Sequence, residues 1–94
     1  MRPSEALAKH REEVLAIIAK YPVANPRVFG SVARGEDTEG SDLDLLVERT
    51  GPMTYPELFK LEGEISELLG HPVEIATALK PFALEAAQGD LRPL

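Results

Sequence analysis

Apolar residues along this chain recur in two rhythms, every three to four positions or every second position, and each change of rhythm predicts a change of element. Leu7, Val14 and Ile18 share one helical face, and Ser4 can cap the N-terminus of a helix that runs to about Lys20 and is stopped by Pro22. Val28-Phe29, between Pro26 and Gly30, reads as a short strand ending in a tight turn. Asp42 to Glu48 alternates, with Leu43, Leu45 and Val47 on one side and Asp42, Asp44, Leu46 and Glu48 on the other, as a central strand requires. Thr54-Tyr55-Pro56-Glu57 has the form of a capping box, and Leu58, Leu61, Ile65, Leu68 and Leu69 follow at helical spacing before Gly70. Val73 to Thr77 predicts a third strand with Val73 and Ile75 on one face and Glu74 on the other, and Pro81 can open a last short helix through Ala87. The predicted fold is an α+β mixed sheet, a small three-stranded core with flanking helices.

Composition narrows what such a fold can do. Ninety-four residues, 44% of them apolar, suffice for one core, so residues 1–94 are expected to form a single domain. The longest apolar run, Val14 to Ala19, is far short of the roughly 20 residues of a membrane span, which predicts a soluble, cytoplasmic protein with no membrane partner. Without cysteine, and with His10 and His71 far apart, any metal must sit on oxygen ligands. A net charge of −6 argues against strong general nucleic-acid binding, since that draws most of its energy from cations meeting phosphates.

The stretch Gly30 to Ser41 is rich in Gly, Ser and charge and is expected on the surface, with one helical turn after Ser31. Glycine at its start permits the backbone to approach a ligand closely and to turn consecutive N–H groups into one concavity, and a helical turn adds its positive end. Ten residues separate Ser31 from Asp42, and Asp42 and Asp44 project their carboxylates from the same side of a strand. Their repulsion is relieved if divalent cations lie between them and phosphates, and magnesium is the natural occupant. Two such ions, roughly 3.5–4 Å apart, would clamp the attacking and leaving oxygens of a displacement at phosphorus. A Gly-Ser pair alone is usually only a turn, whereas two aspartates flanking Leu43 in an otherwise apolar strand are hard to explain as packing.

Gly30-Ser31-Val32-Ala33-Arg34-Gly35 followed by Ser41-Asp42-Leu43-Asp44-Leu45-Leu46-Val47 resembles the signature of the minimal nucleotidyltransferases of the DNA polymerase β superfamily. Leu68-Leu69-Gly70-His71-Pro72-Val73-Glu74-Ile75 is similar to that family's later segment, so the resemblance covers about Val28 to Lys80. It implies the DNA polymerase β-like nucleotidyltransferase fold, with Gly30 and Ser31 binding the triphosphate and Asp42 and Asp44 binding two Mg²⁺ ions. Glu74 is implied as the third catalytic carboxylate, as metal ligand or as base toward the acceptor, where the family usually has Asp. Two uses are open to Arg34: pairing with phosphate oxygens of the nucleotide, or an ion pair with Glu36 or Asp37. Ser41 is expected to shape the turn into the strand rather than to react.

After the core is built, little chain remains for an acceptor pocket. The resemblance implies a solution, since these domains often act as antitoxins beside a small helical HEPN-type toxin, some of them modifying a tyrosine of that partner with AMP. ATP as donor follows from the resemblance alone, because a site built on phosphates and metals discriminates bases poorly. Exposed Phe82, Leu84, Leu91 and Leu94 are candidates for the partner contact. Two alternatives stay open: an antitoxin that neutralises by contact alone, and a transferase acting on a small cationic acceptor such as an aminoglycoside.

Overall fold

The computed structural model describes residues 1–77 and 91–94. Its centre is β2 (Leu43–Arg49), where Leu43, Leu45 and Val47 are fully buried, as the alternation requires. β2 lies between β1 (Val23–Phe29), antiparallel to it, and β3 (Val73–Ala76), parallel to it. A two-residue strand, β4 (Arg92–Pro93), adds to the free edge of β1, so the order is β3-β2-β1-β4. Among the described residues the sheet is therefore mixed, with four strands rather than the three expected; Arg92–Pro93 is too short for a period-of-two pattern to reveal it.

Helix α4 (Tyr55–Leu69) connects β2 to its parallel neighbour β3, as a parallel pair demands. Thr54 caps it, accepting from the Glu57 N–H at 3.3 Å, and Leu61, Ile65 and Leu69 form its buried stripe. The Glu57 carboxylate bonds to the Thr54 hydroxyl at 3.2 Å, so the expected cap forms with a hydroxyl in place of the backbone amide as Glu57's partner. Leu61 and Ile65 meet Val14, Ile18, Leu43, Leu45 and Val47 in one apolar cluster, where each fully buried aliphatic side chain contributes roughly 1.5–3 kcal/mol.

Local differences from the sequence pattern begin with three that have physical causes. The expected helix from Ser4 to Lys20 is two helices, α1 (Pro3–Lys9) and α2 (Arg11–Ile18), because His10 leaves helical geometry at φ −110°, ψ 21°. Ser4 is not the cap: Arg2 holds that position, and the Ser4 N–H donates to Asp37 Oδ2 at 2.9 Å. β1 extends back to Val23, past an irregularity between Ala24 and Arg27 in which Asn25 has φ 52° and Pro26 offers no N–H, so apolar alternation fails there. Leu46, on the side of β2 opposite the main cluster, is buried as well. Thr77 falls just outside β3, and the expected helix from Pro81 to Ala87, with Phe82 and Leu84, lies outside the described residues. Leu94 packs against the core cluster rather than standing exposed, and Leu91 is half-buried. Among the described residues no helix is long and apolar enough to cross a membrane.

The end of α2 is locked to α4 by Tyr21, whose hydroxyl donates to Glu64 Oε2 at 2.6 Å, while Lys20 pairs with the other oxygen at 3.0 Å. Partial burial and the Glu64 carboxylate push the Tyr21 phenol from 10.0 up to about 12. A raised folded value means that this stabilisation is intact below pH 10 and is lost as pH climbs toward about 12. Tyr21→Phe should cost about 1 kcal/mol at neutral pH and flatten the alkaline fall in stability, as measured by urea unfolding between neutral pH and the alkaline limit. An unchanged alkaline profile in the variant would assign the fall to other groups.

Candidate active site

The antiparallel pairing of β1 with β2 brings the end of one beside the start of the other. Phe29 lies opposite Asp44, so Gly30, the next residue, turns directly over the Asp44 carboxylate. Gly30 adopts φ 74°, ψ −152°, a conformation open essentially to glycine, and a Cβ there would lie 2.8 Å from Asp44 Oδ2. The glycine is thus required twice, by its dihedral angles and by its neighbour.

The chain then makes the short helix α3 (Ser31–Arg34), the helical turn expected after Ser31, which Gly35 ends at φ 70°. Ser31 is half-buried, and Arg34 on the exposed side of the turn pairs with Glu36 at 3.4 Å. The Glu36 pair is one of the two uses open to Arg34.

The parallel register of β2 and β3 sets Asp44 beside Glu74, on the same face of the sheet. Asp42 precedes β2 by one residue and is exposed, rather than lying within the strand as expected. Its surroundings still belong to the sheet, because the Leu43 N–H donates to the Pro72 carbonyl at 2.9 Å, just before β3. Partial burial first, then the charges of Glu74 and Asp42, hold the Asp44 carboxyl above the usual carboxylate range. The three acids picked out in the sequence therefore sense one another at one end of the sheet, against the Gly30-Ser31 turn.

Such a group of like charges is an unfavourable arrangement unless a cation shares it, and its all-oxygen donors suit Mg²⁺. Among the described residues no three acidic or histidine side chains form a ready-made metal cage.

Asp37 is a functional candidate that the sequence pattern missed. It is the buried charged residue among the described positions, 3% exposed, within the segment that joins the turn to the acids. Its partner Ser4 is 33 residues away, so no local spacing announces it. Glu62 was likewise missed: it reaches from α4 to accept from the Ile75 N–H at 2.8 Å and holds the backbone beside Glu74.

Comparison with known proteins shows the family to which this fold belongs. Residues 7–85 match the nucleotidyltransferase domain family. A protein of Methanocaldococcus jannaschii, provisionally named a protein adenylyltransferase, is 36% identical over 90 residues, spanning 93% of this chain and 89% of its own. A solved structure, provisionally described as a minimal nucleotidyltransferase, superposes with a TM-score of 0.84 at 40% identity, over 97% of this chain and 95% of that one. A toxin–antitoxin structure with AMP-PNP shares the fold at a TM-score of 0.76 and 13% identity, over 87% of this chain and 69% of that one. With a family match across most of its length and a close structural counterpart, this chain belongs to the nucleotidyltransferase domain family, as one of its minimal members.

Proposed function

We propose that the chain is a Mg²⁺-dependent protein adenylyltransferase, moving AMP from ATP onto a hydroxyl of a partner protein, and that the partner is a small helical HEPN-type toxin whose activity it restrains. The observation that carries the reading is the close approach of bare Gly30 backbone to the Asp44 carboxylate, where a Cβ would lie 2.8 Å from Oδ2, with the charges of Asp42 and Glu74 acting on that same carboxylate. A charge cluster without this approach would suit a cation alone, and a glycine turn without the acids would suit any anion.

In this reading Gly30 and the Ser31 amide and hydroxyl bind the β- and γ-phosphates, with Arg34 exchanging Glu36 for phosphate when the nucleotide is present. Asp42 and Asp44 hold the magnesium ions and Glu74 joins them or takes the acceptor's proton. Magnesium, when bound, neutralises the triphosphate and the charge that develops on it. The acceptor oxygen forms a bond to the α-phosphorus as the bond from that phosphorus to the bridging oxygen breaks. Pyrophosphate leaves with the electron pair, and the hydroxyl proton passes to Glu74 or to water.

Proteins of M. jannaschii that resemble the chain support protein as the acceptor class, and the use of this fold in a toxin–antitoxin complex with AMP-PNP supports toxin and nucleotide. Co-expression with the protein encoded beside it should give that protein the added mass of one AMP by intact mass spectrometry. Co-expression of the Asp42→Asn variant should not. A neighbour bound tightly but never modified would instead leave a binding antitoxin on a transferase scaffold.

A further inference from the structure

Asp37 is a buried carboxylate with no part in the chemistry above. Its Oδ2 accepts from the Ser4 N–H at 2.9 Å, while Oδ1 is buried and accepts no hydrogen bond from the described residues. Taking a carboxylate out of water is expensive, and hydrogen bonding to Ser4 is a modest return when Oδ1 stays without a partner among the described residues, so capping α1 alone explains the burial poorly. The bonds on either side of Asp37 suggest what else it secures.

The segment from Ser31 to Asp42 is a closed unit rather than a free loop. At its start the Glu36 N–H donates to the Ser31 carbonyl at 2.9 Å, and the Gly35 N–H donates to Val32 at 3.2 Å. At its end the Thr38 N–H donates to Ser41 Oγ at 2.8 Å and the Ser41 N–H to the Thr38 carbonyl at 3.0 Å, which closes residues 38–41 into a stiff turn. Asp37 is the hinge between these two bonded halves and the point at which the unit is fastened to another element, the first turn of α1. Asp42 is exposed and lies outside β2, so its position depends on the turn before it and on the Leu43 bond after it.

We propose that Asp37 is a positioning residue for nucleotide transfer: by pinning the 38–41 turn to α1, it fixes where Asp42 stands relative to Asp44 and the Gly30-Ser31 turn. The inference rests on the proposed function, because it gives Asp42 a ligand's role. It also accounts for the interval between the two motifs, which is long enough to hold one helical turn, one buried anchor and one closed turn. Burial raises the Asp37 carboxyl, but the Ser4 hydrogen bonds outweigh it and leave the group below the usual range, so it is charged while it serves as the anchor.

The test compares full-length wild type, Asp37→Ala, Asp37→Asn and Tyr21→Phe at a temperature where all four are folded. Mn²⁺ affinity in the presence of a non-hydrolysable ATP analogue is read by electron paramagnetic resonance, together with the rate of AMP transfer. Asp37→Ala should weaken Mn²⁺ binding and slow transfer, each on the order of 10-fold. Asp37→Asn, whose amide oxygen can still accept from Ser4, should recover most of both. Tyr21→Phe, destabilised at a distant lock, should match wild type in both. Wild-type Mn²⁺ affinity and rate in folded Asp37→Ala, or equal losses in Tyr21→Phe, would overturn the positioning role and leave the proposed function standing. A wild-type protein that neither binds Mn²⁺ with the analogue nor transfers AMP would overturn the proposed function, and this inference with it.

Discussion

Asp44→Asn is expected to stop nucleotide transfer and, in the same protein, to raise the melting temperature measured without nucleotide or metal. The two effects share one cause. Partial burial and the neighbouring charges of Glu74 and Asp42 hold the Asp44 carboxyl above its ordinary range, so the ionised form is disfavoured in the folded state. For an acid shifted upward, the penalty is absent below the unfolded value and complete above the folded one, so it operates in full at neutral pH. Asparagine removes the charge, keeps the size and relieves the penalty. It also removes the proposed magnesium ligand, so transfer should fall on the order of 10²–10³-fold or more. Mg²⁺ with nucleotide should stabilise the wild type by mass action and leave the variant unmoved. Differential scanning fluorimetry with and without Mg²⁺-ATP, beside a transfer assay, reads all three effects. A variant less stable than wild type without ligand would mean that Asp44 is a structural partner rather than a strained functional group.

Gly30→Ala should cost less stability than its contacts suggest and more activity than its size suggests. The backbone angles alone are worth about 1–3 kcal/mol against any residue with a Cβ. The 2.8 Å contact is with the end of the Asp44 side chain, which can rotate away and let the fold survive. The rotation takes the carboxylate from the turn, and a displacement of about 1 Å at a reacting centre can cost on the order of 10²-fold in rate. Gly35→Ala separates the two effects, because Gly35 shares the positive φ, at 70°, but a Cβ there would meet nothing within 4 Å. It should lose stability by about 1–2 kcal/mol and keep most of its transfer activity. Equal activity losses in the two variants would show that backbone strain, rather than the approach to Asp44, governs the site.

The parts of the molecule legible in the sequence are those whose cause is local. Leu43, Leu45 and Val47 alternate because β2 buries one face, and Leu61, Ile65 and Leu69 recur at helical spacing because α4 buries one stripe. Gly30 could be read as a turn from its identity alone, and Asp42 and Asp44 stood out because carboxylates are rare in apolar strands. Glu74 became a candidate by resemblance, and the parallel register then placed it beside Asp44.

What escaped depends on partners far along the chain. Ser4 looked like a helix cap by residue type, but its amide is the donor to a carboxylate from another loop, and no pattern within one helix contains that information. The break at His10 lies in a stretch with helical periodicity on both sides, so apolar spacing cannot locate it. The early part of β1 was hidden by Asn25 and Pro26, whose irregular pairing interrupts the alternation that identifies a strand. In each case the deciding interaction is tertiary, or the backbone departs from the regular period.

Transfer from ATP labelled at the α-phosphate, compared with ATP labelled at the γ-phosphate, tests the central claim most directly. Each is incubated with Mg²⁺, the chain and its neighbour-encoded partner. Nucleotidyl transfer at the Asp42-Asp44 site predicts that the α-label appears on the partner while the γ-label departs as pyrophosphate, and that both signals vanish with Asp44→Asn. Incorporation of the γ-label would make the reaction a phosphoryl transfer, and α-labelling that persists in Asp44→Asn would place the chemistry elsewhere on the protein.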